Sequence, residues 1–386
     1  MTAGGERKAL IVGAGIGGLT AAIALERAGI EAVVFDRMDP LRPLGAGFTL
    51  APNALRAFRR LGIADAVLAV SEPLQYYEHR SRRGRLLRRW PSAEWAGELG
   101  EHVVAISRPE LHRALLDGLG SARLAEGKQC TGVDQDPSGV TASFTDGSEE
   151  RGHLLVGADG AHSTIRRLFD PTDLDYVGYT GYLGVTGAHS INRATHTQSY
   201  GNQAVFGMMP LRDGRTYWYA SRTAPRTPLE EPEERKAIAR RIVDGWYDPI
   251  ESLVESTDAE AIARLEIFDL PPRSSWGSGR VTLLGDAAHP MSPAIGQGAG
   301  QAIEDAMALA RHVSANGDVA ASISAYEAER IARTDPVVKM ARKQGHLIQG
   351  DTPPIRAARA AMLRGAPLGK VKQRWQSMVD VAYPGH

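Results

Sequence analysis

A short apolar run, Lys8–Val12, is followed by a glycine-rich turn and then by a segment of helical character, 19–27, that stops at Gly29. A second apolar run, 32–35, completes a strand-helix-strand unit, whose strands are expected to pair in parallel through a right-handed crossover. Helices are predicted over 51–61 and over 107–119, the second with Pro109 near its start, where a missing N–H does no harm. Between them, 74–90 reads as a hairpin turning at Gly84, and 122–156 as short strands with turns at Pro137-Ser138-Gly139 and Asp146-Gly147. The glycines, aromatics and alternation of 176–224, ending in the segment RTYWYASR at Arg215 to Arg222, predict an antiparallel sheet. A polar helical stretch follows at 230–246. A buried strand over 280–284 and a long helix over 297–313 then bring the chain back to its first layer. No internal repeat stands out.

Composition narrows the reading. The 386 residues suffice for two interlocked domains but not for a further full-sized one. Lys plus Arg and Asp plus Glu number 45 each, so no overall field draws in nucleic acid. The single cysteine, Cys130, excludes an intrachain disulfide, a thiolate zinc site and a CxxC pair, and fits a reducing cytoplasm. The apolar stretch 9–25 contains four glycines, which argues against an anchor, and no spanning helix is expected. From Arg330 onward 11 Lys/Arg face 3 Asp/Glu, an excess of 8, read as helices with a solvated basic face.

The turn after the first strand is Gly13-Ala14-Gly15-Ile16-Gly17-Gly18, a GxGxxG between strand and helix. Gly13 lets the chain turn, Gly15 lets backbone approach a pyrophosphate, and Gly18 lets helix and strand pack closely. Phosphates then sit at the positive end of the helix, worth about 0.3 to 1 kcal/mol per charge at exposed sites. Asp36, ending the second strand, is placed to accept hydrogen bonds from a ribose, with Arg37 beside the adenine. This motif implies a dinucleotide and leaves NAD or FAD open.

Two later segments decide between them. Gly157-Ala158-Asp159-Gly160 continues to Ser163 and Arg166, and Gly285-Asp286-Ala287-Ala288-His289-Pro290 continues to Pro293, Gly296-Gln297-Gly298 and Glu304-Asp305-Ala306. With the N-terminal fingerprint they resemble the 4-hydroxybenzoate-hydroxylase-like FAD-dependent monooxygenases. The resemblance implies an α/β fold: a Rossmann-like FAD-binding domain of the GR2/4-hydroxybenzoate-hydroxylase type, an inserted antiparallel-sheet substrate domain, and C-terminal helices. The corresponding boundaries are 1–73, 98–175 and 272–330 for the FAD-binding domain, 74–97 and 176–271 for the substrate domain, and 331–386 for the C-terminal helices. It implies FAD as cofactor, NADH or NADPH as transient co-substrate, and O2 transferred to a small aromatic or polycyclic substrate by way of a C4a-hydroperoxyflavin. A monomer or homodimer is expected, without nucleic-acid or membrane partners.

Asp286, ending an apolar strand, can accept bonds from ribityl hydroxyls. Pro293, Gly296 and Gly298 lead into a helix start whose N–H groups suit the negative charge of reduced flavin. By resemblance, Asp159 helps bind FAD and nicotinamide and Arg108 contacts the flavin, while His289 reads as a structural hydrogen-bonding residue. No catalytic side chain is assigned, since the flavin carries the chemistry, and no metal is expected. Tyr182, Phe206, Met208, Tyr217 and Tyr219 are the pocket candidates. Tyr217 and Tyr219 share one strand face, Trp218 and Arg222 the other.

Two departures stand out. Relatives acting on urate-like or carboxylated rings read Gly-Tyr-x-x-Trp-Arg-Gly where this chain has Gly181-Tyr182-Leu183-Gly184-Val185-Thr186-Gly187. Thr186 in place of arginine favours a larger or neutral substrate. Gly300 stands where relatives carry asparagine after Gly-Gln-Gly. Epoxidation, Baeyer-Villiger insertion and oxidative cyclisation remain alternatives, as does a flavin-binding protein without turnover. The Trp-x-Trp-x-Ile-Pro segment of flavin halogenases is absent. The six hairpin arginines between Arg80 and Arg89 read as a solvated face rather than an NADPH phosphate site.

Overall fold

The computed structural model describes residues 7–41, 47–187, 191–315, 317–350 and 352–383. Lys8–Val12 lies at the centre of a five-stranded parallel sheet whose order is Val281–Leu283, Leu154–Gly157, Lys8–Val12, Glu31–Phe35, Arg123–Ala125. Both faces of the inner strands are covered, so 9–12, 32–35 and Leu154–Gly157 are buried and apolar without alternation, while the edge strand Arg123–Ala125 is only partly buried. Helices Ile16–Arg27 and Gly298–Ala315 pack together over one face, which joins the two ends of the flavin-motif sequence in space. A small antiparallel sheet of Cys130–Asp136, Gly139–Phe144 and Glu149–Gly152 branches off, and Gly47–Leu50, Val104–Ser107 and Glu72–Pro73 form another.

The predicted antiparallel sheet is present and larger than its own segment. Its seven strands run Ala263–Asp269, Asp175–Thr186, Thr216–Thr223, Ala204–Pro210, Thr195–Tyr200, Tyr76–Ser81, Leu86–Trp90. The predicted hairpin supplies the last two, turning at Gly84 with φ +79°. The hairpin joins through a parallel pair, Tyr76–Ser81 with Thr195–Tyr200, the one parallel seam among the described strands of this sheet.

The faces of the sheet differ. Tyr182, Phe206, Met208, Trp218 and Ala220 pack on helices Pro232–Val243 and Ile250–Glu255. Tyr217, Met209, Leu183 and Val185 pack on Leu74, Val103 and Ala105, toward the nucleotide layer.

At the C-terminus, helix Val319–Gln349 runs unbroken through the expected division at 330/331, because Arg330 is anchored back into helix Gly298–Ala315. Helices Pro353–Gly365 and Leu368–Val379 follow. The basic excess of this region is not simply solvated. Arg330 and Arg359 are buried, and Arg342 is bound to Asp269 through two nitrogens. No helix among the described residues is long and apolar enough to cross a membrane.

Candidate cofactor and substrate site

The three glycines of the fingerprint occupy distinct situations. Gly13 adopts φ +111°, and a Cβ there would fall 2.3 Å from the Ala158 carbonyl oxygen. A Cβ on Gly18 would fall 1.9 Å from the Gly13 oxygen. Gly15 has nothing within 4 Å of its missing Cβ, which leaves open space at the N-cap of helix Ile16–Arg27. That helix start has no side-chain cap and no acidic residue in its first turn, so its positive end is uncompensated. This fits a diphosphate.

Asp36 stands at the end of Glu31–Phe35 as expected. One carboxylate oxygen accepts from Ala14 N–H (2.8 Å) and the other from Met38 N–H (2.9 Å), so the side chain is fixed at the mouth of the glycine turn. Arg37 beside it is exposed. On the other side of the turn, His112 Nε2 bonds the Ala14 carbonyl at 2.7 Å, a contact that the sequence pattern gives no hint of.

Asp286 is the exposed residue in an otherwise buried stretch, 281–290. Its carboxylate hydrogen-bonds no described residue. Solvent reaches it, yet protein atoms crowd it closely enough that desolvation raises its carboxyl above the ordinary carboxylate range, against the pull of His289 and Arg108. An accessible carboxylate crowded by protein atoms and without a hydrogen-bond partner among the described residues is suited to hydroxyl donors of a ligand. Arg108, heading helix Arg108–Asp117, is thereby brought close enough to act on Asp286 electrostatically. Beyond it, Ser292 caps the turn Pro293–Ile295, Gly296 adopts φ +64°, and helix Gly298–Ala315 begins. A polyhydroxyl chain and a flat ring resting on glycine backbone both fit this crevice, so the residues present match FAD.

Asp159 and His289 both bond residues of the scaffold. Asp159 accepts from Ser163 Oγ, Thr164 N–H and Ile165 N–H, holding the start of helix Thr164–Phe169, so in this structure its carboxylate is spent on its own loop. His289 bonds Asp305 at 2.6 Å, both buried, and Asp305 also receives Arg330 Nε (2.6 Å) and Gly285 N–H (2.9 Å). The structural role expected for His289 is what the geometry gives.

Comparison with known proteins agrees with this crevice. A family model described as an FAD binding domain matches residues 6–341. The chain belongs to this family. It is 38% identical over 342 residues to the aurachin C monooxygenase/isomerase of Stigmatella aurantiaca, covering 88% of this chain and 89% of that one. It is 35% identical over 352 residues to an FAD-dependent urate hydroxylase of Klebsiella pneumoniae, covering 89% and 91%. The crystal structure of Klebsiella pneumoniae HpxO complexed with FAD and uric acid superposes with a TM-score of 0.91 at 32% identity, over 97% of this chain and 96% of that one. The protein is thus an FAD-dependent monooxygenase, an oxidoreductase of the class implied by its motifs.

In this flavin monooxygenase the pocket candidates divide between the two sheet faces. Tyr182, Phe206 and Met208 are corrected: they form the apolar core under the outer helices, with Phe206 stacked on Trp218 and the Tyr182 hydroxyl on Glu230 at 3.1 Å. Strand parity places them opposite Tyr217 and Tyr219, which face inward. Thr186 shares the outer face and bonds Ser256 Oγ at 3.0 Å. A side chain at 186 therefore turns away from the nucleotide layer in this register, and its identity gives no clue to substrate charge.

The inner face carries residues that the sequence reading passed over. Tyr77, His79, His196, Gln198 and Tyr200 sit on it with Tyr219, spread over four adjacent strands of which Ala204–Pro210 contributes Gly207 under the Tyr219 ring. His79 Nδ1 meets the Tyr200 hydroxyl at 2.6 Å, and the Tyr200 and Tyr77 hydroxyls both donate to Gln198 Oε1, at 3.1 and 3.0 Å. Tyr219 lies over Gly207, whose missing Cβ would sit 2.0 Å from the ring. Tyr219 and Ala294 both pack against the cluster of Tyr200, Val205, Ile348 and Leu363, which brings the loop that follows Asp286 to this part of the sheet. Burial lowers both histidines to about 3, the charges of His196 and Arg88 adding to the effect on His79. His79 Nε2, His196 Nδ1 and Trp90 Nε1 are buried without a hydrogen-bond partner. The alternation of Tyr77 and His79 with Glu78 and Arg80 was the available signal, and the arginines drew attention from it. Arg80 and Arg89 grip the buried Glu78 on the opposite face, and Arg88 reaches the carbonyls of Leu363 and Ala366.

Proposed function

We propose that this monooxygenase uses NADH or NADPH and O2 to hydroxylate an uncharged aromatic, mono- or polycyclic, held between the FAD crevice and the inner face of the seven-stranded sheet. The observation that carries this reading is the row of Tyr77, His79, His196, Gln198, Tyr200 and Tyr219: a buried, ring-rich wall whose polar groups are all uncharged at neutral pH. Such a wall offers stacking and hydrogen bonds to a neutral ring, and its own side chains give a carboxylate no charge to balance its desolvation, the neighbouring Arg88 being engaged by the carbonyls of Leu363 and Ala366. Relatives named for aurachin C and urate add support for an aromatic substrate.

When bound and reduced, FAD activates O2 and supplies the oxygen atom to be transferred. The chain's own residues do the rest. The open helix end at Gly15 and the fixed Asp36 bind the nucleotide end, and Asp286 accepts hydroxyls of the linking chain. The start of helix Gly298–Ala315, with no acidic residue in its first turn, would stabilise growing negative charge on the ring. The C-terminal helices close the inner face through Leu363 and Ile348, which excludes water from the wall.

The test is NADH and NADPH oxidation by the purified yellow holoenzyme with matched pairs of phenols and fused heteroaromatics, with and without a carboxylate. Stimulation with oxygenated product from the neutral member is expected. Preference for the carboxylated members would overturn the reading.

A further inference from the structure

Gly300 is the third residue of helix Gly298–Ala315. Its surroundings show why no side chain is there. A Cβ on Gly300 would stand 2.8 Å from Asn53 Nδ2 and 3.3 Å from Gln297 Oε1. Asn53 comes from another helix, Pro52–Arg60, and is completely buried. Its amide donates both hydrogens, to Gln297 Oε1 at 3.1 Å and to Glu304 Oε1 at 2.7 Å. Gln297 is the middle residue of the Gly-Gln-Gly turn, and Glu304 is tied in turn to Gln301, Arg330 and Arg333. The volume vacated at 300 is thus filled from across the helix-helix contact.

We infer that Asn53 and Gly300 are a matched pair: the amide that holds Gln297, and with it the Gly296–Gly298 turn of the FAD crevice, is delivered from helix Pro52–Arg60 into space that a side chain at 300 would occupy. Asn53 is in this sense a positioning residue for FAD. It acts through Gln297 rather than by touching the cofactor, and the inference is independent of which substrate is oxidised. The arrangement has a steric consequence. A side chain at 300 and the Asn53 amide together overfill a site whose walls are the buried Gln297, Gln301 and Glu304.

The test measures FAD dissociation constants by flavin fluorescence on apoprotein of the wild type, Asn53→Ala, Gly300→Asn and the double variant, with circular dichroism as a check on folding. Each single change is expected to weaken FAD about tenfold, from one lost buried hydrogen-bonding group or one clash. The double variant is expected to bind within about threefold of wild type, with the visible flavin bands restored. Wild-type affinity in Asn53→Ala, or a double variant that loses the product of the two single effects, overturns the pair. Should Asn53→Ala fail to fold, Gln297→Met carries the test, since it removes the acceptor in the turn and leaves Asn53 on Glu304. Unchanged FAD affinity in that variant also overturns the inference.

Discussion

The ring of Tyr217 rests on the backbone of Gly47, so closely that a Cβ on residue 47 would come within 2.6 Å of the ring. This contact joins the seven-stranded sheet to the strand Gly47–Leu50 beside the FAD crevice. Gly47→Ala must push the two layers apart, and overpacking of this kind costs about 1 to 3 kcal/mol. The melting temperature of the apoprotein is expected to fall accordingly. Tyr217→Phe keeps the ring, and the Tyr217 hydroxyl has no hydrogen-bond partner among the described residues, so stability should hold within about 0.5 kcal/mol. If that hydroxyl serves the substrate, KM rises in Tyr217→Phe while the melting temperature does not move.

The fingerprint glycines separate folding from cofactor binding. Gly13→Ala and Gly18→Ala place a Cβ against backbone, at 2.3 and 1.9 Å, and are expected to damage the fold whether or not FAD is present. Gly15→Ala meets no protein atom within 4 Å. Its apoprotein should melt as wild type does, or slightly higher because the unfolded chain loses freedom. Its FAD affinity should nevertheless fall at least tenfold, because the added methyl enters the space left for the diphosphate. Asp286→Ala belongs with Gly15→Ala: apoprotein stability preserved, colour largely lost. Calorimetry of apoprotein beside the visible spectrum of the purified protein distinguishes the two groups.

How far the sequence foretold this site follows from what each signal encodes. Gly13, Gly15, Gly18 and Asp286 were readable because backbone conformation and close approach demand those residue types at fixed spacing along one short segment. The sheet was readable from alternation, and alternation also paired Tyr217 with Tyr219. Which face turns inward is not readable, since both faces are largely buried, and so Tyr182, Phe206 and Met208 stand among the pocket candidates although they pack under helices. Tyr77 and His79 reach the wall only because their hairpin pairs with Thr195–Tyr200, more than a hundred residues later, and no local pattern announces that seam. Asn53 escaped for the same reason, since its partners Gln297 and Glu304 lie on a distant helix.

The two neutral histidines give stability a pH dependence of definite sign. Their folded values lie near 3 against an ordinary 6.5, so between those limits the unfolded chain binds protons that the folded one refuses. Stability therefore rises with pH through this window and levels off above about 6.5, each histidine adding to the slope. Urea denaturation of the apoprotein at pH 5, 6 and 7.5 should show the loss on the acid side. His79→Gln combined with His196→Gln should flatten that limb. A limb of unchanged steepness in the double variant would mean that these imidazoles are charged in the folded state.

A second, deeper acid limb belongs to Asp305. Burial alone would raise its carboxyl, but the charges of His289 and Arg330, with the hydrogen bonds from His289 and Gly285, outweigh burial and hold it at about 2. A carboxylate depressed from 3.8 contributes stability that is complete above that value and vanishes as pH falls through about 2. Arg330 is the hub of this arrangement, bonded at once to Asp305, Glu304 and Gln301, and almost fully buried. Arg330→Ala takes the shared guanidinium from two buried carboxylates, leaving Glu304 on Arg333 and Asp305 on His289, and removal of one partner from such a group costs about 3 to 5 kcal/mol. Arg330→Met combined with Glu304→Gln and Asp305→Asn removes the charges together and should recover much of that loss. The reason is that desolvation offsets most of the attraction among buried ions. Equilibrium denaturation at pH 7 provides the comparison: a triple variant no more stable than Arg330→Ala would show that the ion group contributes well beyond its own desolvation.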